Sequence, residues 1–479
     1  MQDKLSMKTV YLFISLLVST ISFSQKGEDR LSTAFKVFEN DAQFKHALIS
    51  LYVVDTKTGK IVFDKNSEVG LAPASCLKVV TSAAAFDLLG KDYRYKTILG
   101  YDGNIEGNTL NGNLFITTFG DPTPGSWRWD NTKMDTVLQR ILSALKEKNI
   151  KTITGDLIID DSKWEIQATP RGWTWDDIGN YYGAGAKGLN WHENQYDLIL
   201  KPGKNTGDTV EIVGTEPELY GSVLINELKT GKPGSGDNSI IYLPENGTIG
   251  YVKGTVAGGN KTFTVSGAMP NATLLFSKAI EKFLLKNDIE LNGKSRPSVY
   301  YFINKQKMPV ATKTITTLFS PPLDSINYWF LQKSVNLFGE AFVKTIAYEK
   351  TGFGSTDTGV SIIKDFWGKN GIERSALNII DGSGLSPANR VTTNALVTVM
   401  QYAKKQSWYS SFYNALPEQN GIKMKSGYIG GVRSYTGYIK SKAGTEYTFA
   451  FIINNFDGSP GAVREKMWKL LDILKTPVP

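Results

Sequence analysis

Ser75 and Lys78 stand three residues apart in the run Ala72-Pro73-Ala74-Ser75-Cys76-Leu77-Lys78. At a helix start that spacing puts a hydroxyl and an amine on one face, within reach of each other. Serine is a weak nucleophile until a neighbour takes its proton. Lysine can take it only when burial or a second cation favours the neutral amine. Taken alone, S-x-x-K arises by chance in most chains of this length, and its ordinary reading is a helix-start serine beside a solvated lysine. Two further triplets change that reading. Ser334-Val335-Asn336 offers a hydroxyl and an amide two residues apart, suited to a proton bridge and a clamp on a substrate amide. Lys425-Ser426-Gly427 supplies a cation, a hydroxyl and a residue small enough for another chain to lie alongside. Each is bland alone; the three in this order, in the contexts below, are not.

Two other patterns fail on context. Gly183-Ala184-Gly185-Ala186-Lys187-Gly188 matches G-x-G-x-x-G, but no buried strand precedes it and no helix follows, so it reads as a glycine-rich loop. His192-Glu193 resembles the start of a zinc-protease motif, but Tyr196 occupies the place of the second histidine. His192 is read as a packing or hydrogen-bonding residue.

The elements that must position these groups follow from periodicity. His46–Val54 is rich in β-formers and leads through Asp55-Thr56-Lys57-Thr58-Gly59 into Ile61–Asp64, a hairpin pattern. Pro73 ahead of an Ala-rich run marks the helix that carries Lys78. From about Tyr95 to Pro270, short alternating strands recur between Gly, Asn, Asp and Pro clusters, interrupted by one amphipathic helix over about Asp130–Lys148. Beyond Asn271 helical spacing dominates: 274–286, 323–349, 357–369 and 393–405. Ser334 and Asn336 are expected inside the second of these. Lys423–Gly427, Ser434–Lys440 and Glu446–Asn454 read as three antiparallel strands, before a last helix over about Pro460–Leu474. Strands at both ends predict one sheet closed by the termini, with the middle inserted.

Composition narrows the chemistry. The 479 residues carry 54 Lys plus Arg against 46 Asp plus Glu, a net charge of +8. With 41% hydrophobic residues the chain has ample material for a folded core. Lysines are spread along it, without the Arg-rich run and interleaved aromatics of a nucleic-acid surface. Two histidines (His46 and His192) and one cysteine (Cys76) cannot assemble a Cys/His zinc site within one chain. Lys8, the apolar stretch Val10–Val18 and the small residues Ser22 and Ser24 before Gln25 predict a cleavable secretory signal over 1–24. The run is too short for a comfortable span. Export, to a periplasm or a cell-wall space, is expected, with no stable membrane span.

The ordered triplets resemble the penicillin-recognising serine hydrolases. Longer stretches narrow the likeness. Ser334-Val335-Asn336-Leu337-Phe338-Gly339-Glu340 resembles the S-x-N-L-x-A-E segment of the D-alanyl-D-alanine carboxypeptidases of the DacB, or penicillin-binding-protein-4, family. Asp381-Gly382-Ser383-Gly384-Leu385-Ser386 with Asn389 resembles its D-G-S-G-L-S-R-x-N. Asn113–Ile116 with Gly120-Asp121-Pro122, and Pro170-Arg171-Gly172-Trp173 with Asp176-Asp177, are similar to its inserted domain. The gap of about 260 residues between Ser75 and Ser334 fits as well.

The resemblance implies an α/β (α+β) fold: a serine β-lactamase/penicillin-binding-protein-like domain, its antiparallel sheet flanked by helices, over 25–94 and 271–479. It places inserted β-rich domains over 95–270. It implies a serine D,D-peptidase that attacks the D-Ala-D-Ala terminus or the D,D-cross-links of peptidoglycan peptides and is acylated by β-lactams, with no metal and no cofactor. Carried over by position, Ser75 is the nucleophile and Lys78 its base. Ser334 relays a proton to the leaving amine. Asn336 holds Lys78 and the substrate amide. Lys425 keeps Lys78 neutral and attracts the terminal carboxylate, to which Ser426 can hydrogen-bond. Gly427 lets the substrate lie close, and the N–H groups of Ser75 and Tyr428 form the oxyanion hole. The departures are Ser426 for a usual Thr, Tyr428 for Thr or Ser, Gly339 for Ala, and Pro387-Ala388 before Asn389. Cys76 is expected to pack into a helix bundle. Two alternatives stay open: a β-lactamase or esterase on the same scaffold, and a catalytically relict cell-wall binding protein.

Overall fold

Strands from opposite ends of the chain share one sheet. In the computed structural model, which describes residues 30–476, the order is Ile61–Lys65, Leu48–Asp55, Glu446–Asn454, Val432–Lys440, Ile422–Ile429 and Glu418–Gln419, every neighbour antiparallel. The sheet closed by the termini is therefore present. Leu48–Asp55 is buried at six consecutive positions, so both its faces are covered. That explains why its sequence, Ser50 apart, is apolar from Leu48 to Val54 rather than alternating. On one face Leu51, Val53, Phe451 and Ile453 pack against Leu31, Phe35 and Phe38 of a helix over 30–39 and Val463, Met467 and Leu471 of the helix Pro460–Lys475. Pro460 sits in the first turn of that helix, where its missing N–H costs nothing. The other face meets the helix Thr393–Lys404 through Thr393 Oγ1 at 2.7 Å from Ser50 Oγ and Tyr438 OH, which donates to Met400 O at 2.6 Å. Each large apolar side chain buried here contributes roughly 1.5–3 kcal/mol.

The chain divides into two units. The first comprises residues up to 83, 367–379 and 387 onward, and holds this sheet. The second comprises 84–366 and 380–386. Its five-stranded sheet runs Ser295–Pro297, Leu157–Asp160, Leu114–Thr118, Lys96–Tyr101, Lys313–Phe319. The amphipathic helices Met134–Glu147 and Ala272–Lys286 share one core with it, through Leu138, Ile141, Phe276 and Ile280 against Leu114, Ile116 and Leu157. Residues 195–268 add two three-stranded sheets around Leu198, Leu228, Val252 and Val265.

Two helical expectations are corrected. Lys313–Phe319, in the region read as helical, is a strand: its β-branched run pairs antiparallel with Lys96–Tyr101. The stretch 323–349 is not one helix. Leu323–Gln332 ends at Lys333, Ser334 adopts φ +59°, Val335 is extended, and a new helix begins at Asn336. Apolar spacing continues across the break, which is why periodicity hides it. The predicted signal over 1–24 lies outside the described residues.

Candidate active site

Ser75 sits in a strained turn. Pro73 (φ −85°) leads to Ala74 at φ +45°, a left-handed conformation that costs a non-glycine residue about 1–2 kcal/mol. A 3₁₀ turn, Ala74–Leu77, follows and continues as the helix Lys78–Leu88. Cys76 N donates to Pro73 O at 3.2 Å. This geometry delivers the expected contact: Lys78 Nζ donates to Ser75 Oγ at 3.0 Å. The Lys78 side chain has no solvent exposure. Burial is one of the conditions under which a lysine amine serves as a base.

The strand Ile422–Ile429 brings the second triplet to this turn. A Cβ placed on Gly427 would lie 2.6 Å from Pro73 O and 2.9 Å from Ser75 N, so only glycine allows the strand this close to the Ser75 backbone. Lys425 is 2% exposed, and its Nζ donates to Ser426 O at 3.0 Å. Burial lowers its pKa to about 8, opposed by the negative charge that Cys76 would carry as a thiolate. Lys425 therefore stays mostly cationic at neutral pH. Ser426 Oγ accepts from Gln419 Nε2 at 3.0 Å. Tyr428 turns its side chain to solvent, 52% exposed, with the Arg433 guanidinium 5.5 Å from its ring centre. Cys76 is fully buried, but against a strand rather than in a helix bundle: its thiol donates to Lys425 O at 3.2 Å. Burial pushes that thiol up to about 11. Ser75, Lys78, Lys425, Ser426, Gly427 and Tyr428 all belong to the first unit.

Ser334 and Asn336 belong to the second. The left-handed Ser334 and extended Val335 end one helix and start the next, so the triplet occupies an interhelical corner instead of a helix interior. Asn336 is buried, and its Nδ2 donates to Tyr182 O at 2.7 Å. One turn on, the fully buried Glu340 carboxylate accepts Gly382 N at 3.1 and 3.2 Å. The segment Asp381–Ser386 therefore lies directly on the helix Asn336–Thr351. Gly339, which stands where alanine is usual, is explained here: its Cβ would meet the Phe330 ring at 2.6 Å and Gly382 O at 3.2 Å.

Sequence reasoning assigned no role to Glu340, Asp381 or Trp173. Asp381, fully buried, accepts Gly384 N and Ser386 N at 2.8 Å each and Trp173 Nε1 at 3.0 Å. Ser386 Oγ donates to Gly172 O at 2.9 Å. The Pro170–Trp173 and Asp381–Ser386 motifs, about 210 residues apart, thus form one hydrogen-bonded support beside the Asn336 helix. Their only signal in the sequence was their motif form.

The two discounted patterns are structural. The glycine-rich loop begins at the end of the 3₁₀ turn Tyr181–Gly183 and forms no helix or strand through Gly188, and His192 Nδ1 lies 3.0 Å from Gln195 O. Among the described residues no cluster of three or more His, Cys, Asp or Glu could hold a metal, and no helix is long and apolar enough to cross a membrane.

The sequence model of the D-Ala-D-Ala carboxypeptidase 3 (S13) family matches residues 33–474. The D-alanyl-D-alanine carboxypeptidase DacB of Haemophilus influenzae is 25% identical over 421 residues, 83% of each chain. A D-alanyl-D-alanine carboxypeptidase of an Actinomadura species is 24% identical over 461 residues, 89% of this chain and 81% of that one. The crystal structure of penicillin binding protein 4 (dacB) from Haemophilus influenzae superposes with a TM-score of 0.78 at 23% identity, covering 90% of this chain and 97% of that one. The fold is therefore shared along nearly the whole length. With the family match spanning both units, the chain belongs to the D-Ala-D-Ala carboxypeptidase 3 (S13) family.

Proposed function

We propose that this chain is an exported serine D,D-peptidase that cleaves the bond between the two terminal D-alanines of peptidoglycan stem peptides, or the equivalent D,D-cross-link, through an acyl-enzyme on Ser75. One observation carries the reading: in a member of a carboxypeptidase family, the buried Lys78 amine lies 3.0 Å from the Ser75 hydroxyl. Ser75 Oγ attacks the carbonyl carbon while its proton passes to neutral Lys78. The C–N bond then breaks, and the leaving D-alanine amine takes a proton relayed by Ser334. Water attacks the ester, frees the acyl group and returns the proton to Ser75. Asn336 is assigned the substrate amide, and cationic Lys425, with the Ser426 hydroxyl, the terminal carboxylate. The Ser75 and Tyr428 N–H groups take the oxyanion, where a single donor is worth roughly 3 kcal/mol.

β-Lactams carry a carboxylate and a strained amide in the same arrangement, so they acylate Ser75 and act as inhibitors. Periplasmic or wall-associated action follows from the substrate and from the expected signal at 1–24. The test is D-alanine release from a synthetic pentapeptide ending in D-Ala-D-Ala. Wild type should release it, Ser75→Ala should release none, and Lys78→Ala should be slower by orders of magnitude. Equal release by wild type and Ser75→Ala would refute the nucleophile.

A further inference from the structure

Three side chains tie the backbone around Ser75 to the sheet. Asn454 Oδ1 accepts Ala72 N at 2.9 Å, and its Nδ2 donates to Ala72 O at 3.1 Å. Ser434 Oγ donates to Pro73 O at 2.5 Å. From the far side of the turn, Cys76 Sγ donates to Lys425 O at 3.2 Å. The three anchoring strands are neighbours, Glu446–Asn454, Val432–Lys440 and Ile422–Ile429, with Val432 opposite Asn454 and Gly427 opposite Ser434. Ser434 and Cys76 have no solvent exposure.

Between these ties sits Ala74 in its left-handed conformation. A strained residue persists only where its surroundings over-determine it. Here the backbone is held before it, at Ala72 and Pro73, and after it, at Cys76. The same ties set how closely Gly427 approaches Ser75 N, where a Cβ would find 2.9 Å. Burial keeps the Cys76 thiol protonated at neutral pH, so its S–H is available to donate.

We propose that Ser434, Cys76 and Asn454 are positioning residues that lock the Ser75 turn onto the strand Ile422–Ile429, holding the backbone N–H groups of Ser75 and Tyr428 at the spacing an oxyanion requires. The inference rests on the Ser75 acyl-enzyme reading. Such residues act on the tetrahedral species and leave ground-state binding alone, because the N–H pair is aimed at charge that develops only during attack.

The experiment uses the full chain as wild type, Ser434→Ala, Cys76→Ala and Cys76→Ser. Acylation by a fluorescent penicillin is resolved into a binding constant and a chemical rate. Affinity for an aryl boronic acid, which forms a tetrahedral adduct on serine, is measured beside it. Ser434→Ala and Cys76→Ala should lower the chemical rate about 10–100-fold with the binding constant unchanged. Boronate affinity should weaken in proportion. Cys76→Ser keeps a donor at the same place and should restore the wild-type rate. A shifted urea midpoint with an unchanged chemical rate would mean the ties serve stability alone and would overturn the proposal. Where Ser434→Ala fails to fold, the two Cys76 variants decide. A wild type that penicillin does not acylate refutes the Ser75 reading itself, and this inference with it, before any variant is compared.

Discussion

Replacing Gly427 by alanine asks whether the strand Ile422–Ile429 must lie against the Ser75 turn for the chemistry to run. The new Cβ would stand 2.3 Å from Ser434 Oγ, 2.6 Å from Pro73 O and 2.9 Å from Ser75 N. Ordinary contact begins at 3.4 Å, so even with the Ser434 hydroxyl turned away 3.4 − 2.6 = 0.8 Å has to come from main-chain movement. The Ser434 hydroxyl can turn aside only by giving up its bond to Pro73 O, and the other two atoms are main-chain, so turning that side chain does not remove the clash. Overpacking of this kind costs ~1–3 kcal/mol of stability. A shift of nearly an ångström between reacting groups costs up to about 100-fold in rate. Gly427→Ala should therefore give a folded protein, modestly destabilised, whose acylation by a fluorescent penicillin is slower by about 10–100-fold. Stopped-flow acylation and a thermal melt measure the two quantities. Acylation at the wild-type rate would show that the approach of strand to turn does not set the catalytic geometry.

Other perturbations probe separate features. Lys425 titrates near 8 in the folded chain against 10.5 for the free side chain, so its folded form loses the proton first. The burial penalty is thus complete below about pH 8 and fades as the pH rises towards 10.5. The difference of about 2.5 corresponds to ~3 kcal/mol. Lys425→Met should be more stable than wild type near neutrality by up to that amount, lose the advantage above pH 10, and bind anionic β-lactams more weakly; parallel urea titrations that show no pH-dependent gap would contradict this. Asp381→Ala removes the acceptor of three buried donors, at about 1–3 kcal/mol for each donor left unsatisfied, so its unfolding midpoint should fall sharply, and a change below 1 kcal/mol would show the network to be incidental. Ala74→Gly relieves a conformation costing about 1–2 kcal/mol against a glycine entropy cost of roughly 0.5–1, so it should leave stability unchanged or slightly raised. Marked destabilisation would mean the Ala74 methyl packs for more than its strain.

What the sequence revealed depended on how local each signal was. The Ser75–Lys78 contact follows from helical spacing, and the shared sheet from β-rich runs at both ends. The break at Ser334 was hidden because apolar residues continue in helical rhythm through Phe330, Leu331, Leu337 and Phe338, while the left-handed φ of Ser334 has no glycine to announce it. The same is true of Ala74. Lys313–Phe319 was missed because its partner strand lies over 200 residues earlier in the chain. Asp381 and Glu340 stood out only as members of motifs, with no role attached; their weight comes from full burial and backbone donors that only the folded chain brings to them. Ser434 and Asn454 carried no signal at all, since a serine or asparagine on a strand is unremarkable until the turn it holds is known.

The central claim is a nucleophilic Ser75, and the most direct measurement is the intact mass of the mature protein after brief exposure to benzylpenicillin, with Ser75→Ala alongside. The account predicts one stable adduct of the drug's mass on wild type and none on the variant. An adduct on both proteins, or on neither with the drug left intact, would contradict it.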